Sequence, residues 1–400
     1  MGPARPKVLW LANMAPPYRI PVWTALSERV DLTVALLEPD RRLAADPASN
    51  RGADWLNGHR TDVRLTELRT VRLAFVGSLF YALTGLRCYQ AISRSDAVVL
   101  AGWESPAYWQ ALLCCMVTSV PRVAFYESTL NSRRFRRGIV AAARRRFLRA
   151  MDVVVVPGEA AARAVIEIGV ASDRVVVGFN AIDMQSFRSA AIRARRPTSY
   201  MSSSLAASEI GHRFVFVGQL IDRKRVDRVI AAFADVAKPD DELTIVGRGP
   251  RRTELERLAE QLGVADRLKW VDQVENQRLG ELLVKQHSLV LASDNEVWGL
   301  VVNEALSVGL HVVLTDNCGV VPSVRHMRGV YVASTEDDAQ SALAVAMASS
   351  RERWSGLIGE PEIVVHTPES FAEDFASAIK TAIESRPRRH RWTPKGLPQR

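Results

Sequence analysis

The amino-acid sequence predicts two α/β domains of similar size, each built on a parallel sheet buried on both faces. Three observations predict this. Short runs of Val and Leu alternate with longer amphipathic segments, which is how strands covered by helices on both sides read. The alternation occurs twice, on either side of a stretch rich in Ser, Ala and Arg. At 400 residues, with 48% apolar and 24% charged, the composition is ordinarily globular. At about 150 residues per domain there is room for two or three domains.

Along the chain, Lys7–Ala12 (KVLWLA) is an apolar run soon followed by Pro16-Pro17. Arg5 and Lys7 imitate the start of a secretory signal, but the proline pair falls where the apolar region would continue and no small-x-small cleavage site follows. The run therefore reads as the first strand. Leu32–Leu37, Ala97–Ala101, Arg122–Tyr126 and Val153–Val156 are the other strands of a domain assigned to residues 1–185. Ser186–Gly211 contains Pro197, lacks apolar periodicity and reads as a linker. A second domain over 212–367 carries Arg213–Val217, Glu242–Val246, Leu268–Val271, Leu289–Leu291, His311–Thr315 and Gly329–Val332. Phe371, Phe375, Ile379 and Ile383 then recur every four residues, one apolar stripe on a helix over 368–385. Residues 386–400 form a basic tail expected to be disordered.

Several classes drop out. Leu73–Leu86 and Ala107–Val120 are short of the ~20 residues a helix needs to cross hydrocarbon. No repeat of roughly 20 to 50 residues is visible, which excludes solenoids and propellers. The four cysteines (Cys88, Cys114, Cys115, Cys318) have neither CxxC spacing nor the density of a disulfide scaffold. That usage suits a reducing compartment, and a cytoplasmic location is expected.

Lys plus Arg number 53 against 44 Asp plus Glu, a formal net charge of +9. Between Ser128 and Met151 there are eight arginines and no acid; between Arg386 and Arg400, five arginines and Lys395, again without an acid. These segments carry fourteen positive charges, so the rest of the chain is mildly acidic at −5. Two local patches on a mildly acidic body do not suit a chain that coats nucleic acid along its whole surface. A phosphate-bearing or membrane-surface partner held at one place fits better. On a helix from Arg133 to Arg149, Arg137, Arg144 and Arg145 share a broad face beside Ile139, Val140, Ala143 and Phe147. That pattern fits either a basic helix lying on an anionic membrane, at its inner face, or a solvated helix.

Three stretches carry chemistry. Phe214–Val229 (FVFVGQLIDRKRVDRV) is a strand, a Gly turn and Arg223-Lys224-Arg225 ahead of a helical pattern. It is either a diphosphate cradle at a helix N-terminus or a solvated charge run. Thr244–Pro250 (TIVGRGP) lacks the third glycine of the dinucleotide fingerprint and reads as a plain strand-to-helix turn. Leu289–Gly309 (LVLASDNEVWGLVVNEALSVG) ends a strand at Ser293 and presents Glu296 in a polar turn. It then permits close backbone approach at Gly299 and enters a helix, expected to start near Trp298, that carries Glu304. Free helix amides suit phosphate oxygens and carboxylates suit sugar hydroxyls. A capping acid followed by an ordinary helical Glu would read the same way. No D-x-D triplet, HxxxH or Cys/His set occurs, so no metal site is expected.

Glu296-x7-Glu304 with its embedded WGLVVNEAL, after VGQLIDRKRVD and VGRGP in that order, resembles the nucleotide-sugar half of a retaining glycosyltransferase of family 4, with the GT-B fold. YRIPVWTALS, AGWESPAYW, FYEST and VGFNAID resemble the same family. The match is dense from about Phe214 to Val330 and looser before it. The resemblance implies two Rossmann-like α/β/α domains facing each other across a cleft, with the carboxy-terminal helix returning to the amino-terminal domain. It implies transfer of a sugar from a nucleotide-diphosphate donor to an acceptor hydroxyl, with retention and without metal or cofactor. Arg223 and Lys224 would hold the diphosphate, Glu304 the ribose hydroxyls and Glu296 the donor-sugar hydroxyls. Gly218 and Gln219, the amides of Val297, Trp298, Gly299 and Leu300, and the backbone of Val274 would complete the donor site. Arg19 and Glu127 would stand on the acceptor side.

This chain departs from the family where Gln219 replaces the Arg of Gly-Arg-Leu, where Asn13–Tyr18 (NMAPPY) replaces a glycine-rich turn, and where His311 replaces a frequent proline. A lipid-linked acceptor, or a cell-envelope or polysaccharide precursor, agrees with the basic patch. The competing readings are a catalytically silent sugar-binding or membrane-associated scaffold of the same fold, and a nucleotide-sugar epimerase, whose acid/base His and Asp the sequence does not place.

Overall fold

The computed structural model describes residues 4–38, 62–75, 78–133, 135–195, 211–274, 276–336 and 338–386. The first half supplies strands β1 (Lys7–Ala12), β2 (Asp31–Leu36), β3 (Arg64–Glu67), β4 (Thr70–Phe75), β5 (Ser78–Leu83), β6 (Ala97–Leu100), β7 (Arg122–Phe125), β8 (Val153–Val156) and β9 (Val175–Val177). All but β4 and β5, an antiparallel pair of their own, form one parallel sheet in the order β3-β2-β1-β6-β7-β8-β9. Its helices are α1 (Ile20–Ser27), α2 (Arg87–Ser93), α3 (Pro106–Thr118), α4 (Ile139–Arg149) and α5 (Glu159–Ile168). Period-two alternation divides the core. Leu9 and Leu11 of β1 face a layer containing Tyr108, Phe147 and Val165. Val8, Trp10 and Ala12 face the opposite layer.

The second half supplies helix α6 (Gln185–Arg195), β10 (Arg213–Val217), α7 (Val226–Val236), β11 (Glu242–Val246), α8 (Arg252–Gln261), β12 (Leu268–Val271), α9 (Asn276–Leu283), β13 (Ser288–Leu291), α10 (Leu300–Val308), β14 (His311–Thr315), α11 (Val321–Val324), β15 (Val330–Ala333) and α12 (Ala339–Glu352). The sheet order is β12-β11-β10-β13-β14-β15, all parallel. β10 and β13 are neighbours although two strands separate them in sequence. The order therefore reverses between them, and the crevice beyond their carboxyl ends is the place where such sheets bind ligands.

The stretch expected to be a linker from Ser186 is corrected over its first part. α6 buries Phe187, Ala190 and Ala191, spaced i, i+3 and i+4, in the second domain's half. Phe179, Ile182 and Met184 already belong to that domain's core, while Ala181 between them packs in the first domain's core. Residues 196–210 of the expected linker lie outside the described residues, as do residues 387–400 of the basic tail; Arg386 pairs with Asp152 at 2.5 Å. Leu73–Leu86, noted for its length, contributes to the β4–β5 hairpin.

Helix α13 (Pro368–Ser385) opens on a capping box between Thr367 and Ser370 and crosses back to the first domain. Its stripe works as the spacing predicts: Phe371, Phe375 and Ile379 are buried beside Trp10, Trp23 and Phe125. The Phe375 ring lies 4.7 Å from Trp10 and 5.4 Å from Phe125. Burial of each such side chain contributes about 2 kcal/mol.

At the amino-terminal edge of the second sheet, His212, His287 and His311 precede or begin the adjacent strands β10, β13 and β14, so the sheet brings them into one row. Trp354 stacks on His287 at 4.9 Å and meets His212 and His311 edge-on. His212 Nε2 bonds Ser288 Oγ at 2.8 Å, and Ser288 bonds Ser350 at 2.6 Å. His311 Nδ1 lies 3.0 Å from the Ser350 carbonyl. His311 is thus a member of a buried polar cluster, which accounts for a residue that the sequence comparison alone does not explain. Burial pushes His212 down to about 3 and His287 to about 4.

Candidate functional site

The cationic turn and the acidic turn follow β10 and β13, so the strand order alone sets them side by side. After β10 the chain passes Gly218 and Gln219 to Leu220, whose N–H donates to the Arg248 carbonyl at 2.9 Å. A Cβ on Gly247 would lie 1.9 Å from the Gly218 carbonyl oxygen. The glycine of VGRGP is therefore a close-approach residue that lets the turn after β11 support the turn after β10, consistent with a plain strand-to-helix turn. Asp222–Lys224 form a 3₁₀ turn, and Arg225, in the left-handed region at φ 49°, precedes α7. The three cations thus stand ahead of the helix rather than in its first turn.

They also separate in role. Arg225 bonds Asp227 at 2.8 Å and Asp294 at 3.1 Å, and Arg228 also pairs with Asp294. These contacts tie the cationic turn to the acidic turn. The Asp294 N–H donates to the Arg223 carbonyl at 2.9 Å, leaving the Arg223 side chain half-exposed, 3.7 Å from Glu296. Lys224 Nζ donates to Glu296 Oε2, and both side chains are mostly buried. Ser293 Oγ lies 3.4 Å from the same carboxylate oxygen. Gly218 packs beside the Lys224 stem. Gln219 is exposed on the turn.

Glu296 is fixed from behind as well. Its carbonyl accepts the Gly319 N–H at 2.9 Å, and it forms an isolated parallel bridge with Cys318. Val297, Trp298 and Gly299 follow, with Gly299 at φ 99° as the N-cap of α10. This left-handed turn makes the helix begin at Leu300, two residues later than expected, and puts Glu304 in its second turn. Glu304 is half-buried with no cationic partner among the described residues, and burial pushes its carboxyl up to about 7. Val274 lies beyond β12, two strands from β10, at the far margin of this crevice.

Across the cleft, the 3₁₀ turn Pro17–Arg19 delivers Arg19, 4% exposed, into the wall of the first domain. Its guanidinium lies over the Phe125 ring at 4.5 Å, donating to Glu127 Oε1 at 3.0 Å and Asn180 Oδ1 at 3.2 Å. Arg19 therefore holds Glu127 in place, and Glu127, 38% exposed, is the member of the pair open to the cleft. The chain of contacts continues into the second domain. Asn303 Nδ2 donates to the Asn180 carbonyl at 2.9 Å, and Trp298 Nε1 donates to Asn303 Oδ1 at 3.1 Å. Asn131 and Asn317 also bond across the domains at 2.8 Å. Asn180 and Asn303 stand inside the VGFNAID and WGLVVNEAL motifs, but no local spacing reveals that they meet.

The basic segment divides. Helix α4 starts at Ile139 rather than Arg133. Arg144, expected on a membrane face, is buried, donating to the Phe135 carbonyl at 2.8 Å and lying over Trp103. Arg133 is tied to Glu167 at 2.8 Å. Arg137, Arg145, Arg146 and Arg149 remain exposed. Among the described residues no helix is long and apolar enough to cross a membrane, and no group of three His, Cys, Asp or Glu is placed to hold a metal ion.

Two parallel-sheet domains joined by a returning helix, with the site at a strand-order reversal, define a GT-B architecture. Solved structures agree at the level of fold. Anabaena HepE, in complex with UDP, superposes with a TM-score of 0.64 at 15% identity, over 95% of this chain and 98% of that one. The lipopolysaccharide outer core galactosyltransferase WaaB superposes with a TM-score of 0.63 at 14% identity, over 94% and 99%. Residues 23–186 match "Glycosyltransferase Family 4" and residues 203–355 match "Glycosyl transferases group 1". The chain belongs to glycosyltransferase family 4. Among curated proteins, N-acetyl-alpha-D-glucosaminyl L-malate synthase of Bacillus anthracis is 26% identical over 46% of this chain and 46% of its own length. The chain spans less than half the length of the curated relatives it matches.

Proposed function

We propose that the protein transfers a sugar from a nucleotide-diphosphate donor to an acceptor hydroxyl, with retention and without a metal ion. The observation that carries this reading is the cluster of Arg223, Lys224 and Glu296 in the crevice at the strand-order reversal. Without donor, Lys224 is neutralised by Glu296. A diphosphate entering the turn takes over Lys224 and Arg223, and Glu296 turns to the hydroxyls of the sugar. Amides at the start of α10 receive phosphate or sugar oxygens, and Glu304 receives the ribose. With Gln219 in place of the customary cation, Arg223 substitutes for it.

In the transfer, the bond from the anomeric carbon to the diphosphate oxygen breaks and one to the acceptor oxygen forms. The acceptor proton passes to the departing phosphate on the same face, which retains configuration. Stabilising the departing charge is the main demand on the protein. UDP in the HepE complex makes a uridine donor the first to test. The name of WaaB makes a cell-envelope or lipid-linked acceptor the corresponding choice.

Glu296→Gln is expected to keep nucleoside-diphosphate affinity, read as a melting shift with UDP, while transfer is lost. Parallel loss of both would make Glu296 a structural partner of Lys224 and return the scaffold reading. Turnover is also expected to persist in excess EDTA, because Arg223 and Lys224 supply the positive charge. Complete loss that added divalent ion restores would overturn the metal-free mechanism.

A further inference from the structure

On the outer side of the first domain, α3 and α4 bound an open trough of about 1160 Å3, away from the donor crevice. Arg136, Arg137, Arg145, Arg146 and Arg149 line it, and all five are exposed. Among the described residues none of them pairs with a carboxylate, whereas Arg133 and Arg144 in the same segment have partners. No acid occurs from Ser128 to Met151, so nothing local offsets the five charges.

The floor is apolar. Leu112, Leu113 and Met116 of α3 face Ala141 and Ala142 of α4, and Leu113 and Met116 are 61% and 55% exposed. Ile139, at the head of α4, is 89% exposed. Large aliphatic side chains left in water beside unpaired guanidiniums are costly for a surface that meets only solvent. The trough is wider than an enclosed small-molecule site and has no lid.

We propose that this trough docks the protein on an anionic phospholipid surface, its arginines taking lipid phosphates while Leu113, Met116 and Ile139 enter the interface. Charge complementarity selects the partner's sign, and the aliphatic floor selects lipid over nucleic acid. Bases need free aromatic faces, but Trp109, the aromatic residue in the lining, packs its ring 5.2 Å from Phe147 and spends its N–H on the Trp103 carbonyl. Outside this segment and the basic stretch 386–400 the chain is net acidic, and the docking does not depend on the transfer chemistry.

Co-sedimentation of the full chain with phosphatidylcholine vesicles, with and without phosphatidylglycerol and at low and high salt, tests this. The expected result is binding that needs phosphatidylglycerol and weakens with salt. The R145Q/R146Q/R149Q variant should bind about a hundredfold more weakly, at about 1 kcal/mol per arginine. Leu113→Ser with Met116→Ser should weaken binding about tenfold and leave the salt dependence unchanged. Unaltered melting temperatures of both variants exclude a folding effect. Equal binding to neutral and anionic vesicles, binding to neither, or wild-type affinity in the arginine variant would overturn the proposal. Tight binding of single-stranded RNA with no vesicle binding would overturn it in favour of a nucleic-acid surface.

Discussion

Lys224→Ala is expected to lower turnover about a hundredfold while the melting temperature stays near that of the wild type. A charge-assisted hydrogen bond to a departing diphosphate contributes on the order of 1.5–3 kcal/mol. Lys224 is held beside Glu296 and the Gly218 turn, within reach of a diphosphate at the reversal between β10 and β13. Its removal leaves Glu296 with Arg223 at 3.7 Å as the remaining cation, enough to preserve the fold and too little to replace a buried ammonium. Glu304→Ala should reduce donor affinity similarly, through the ribose. Because burial raises the Glu304 carboxyl to about 7, wild-type donor affinity should rise with pH through neutrality as the carboxylate forms, and that dependence should vanish in the variant. Wild-type kinetics in both variants would remove these residues from the site.

The second large effect is on stability in acid. His212 and His287 are neutral in the folded domain, with pKa values near 3 and 4 against an ordinary 6.5. Above pH 6.5 neither folded nor unfolded chain is protonated there, and the histidines make no pH-dependent contribution. As pH falls below 6.5 the unfolded chain takes up protons that the folded one excludes. Stability is therefore lost steadily until the folded values are reached, by about 2 kcal/mol per histidine at pH 5. With both residues the melting temperature should fall by roughly 10 °C between pH 7 and pH 5. The His212→Gln/His287→Gln variant, whatever its starting stability, should show a much flatter profile. An unchanged slope in that variant would assign the acid sensitivity elsewhere.

What the sequence reveals depends on how local the responsible contacts are. The core strands are legible because each is a continuous apolar run, down to the four valines of β8. The stripe on α13 is legible because all its members sit on one helix. β3 is not, since RLTE at a sheet edge has every side chain exposed and so no burial pattern to detect. α6 hides because its apolar face reduces to Phe187, Ala190 and Ala191 amid Ser and Arg. The late start of α10 follows from the left-handed turn at Gly299, which a spacing argument passes over. In the site, the pairing of the RKR turn with Glu296 is anticipated as a shared function of two motifs, while its physical cause, the adjacency of β10 and β13, appears only in the sheet. The Arg19–Asn180–Asn303 link and the histidine row join residues far apart in sequence, and periodicity is silent about such pairs. Arg144 misleads because a charged residue on an amphipathic helix is presumed solvated, whereas here a backbone carbonyl and an indole enclose it.

Helix α13 has a consequence for how the chain is made. Trp10 and Phe125 belong to the first domain, but Phe371 and Phe375, which complete their surroundings, are translated only after the whole second domain. An emerging first domain thus holds an uncovered aromatic face until 368–385 has left the ribosome, so its folding cannot finish in the order of synthesis. A premature stop before Thr367 would spare the second domain's own core and strip the first, placing the damage at the opposite end of the polypeptide from the lesion.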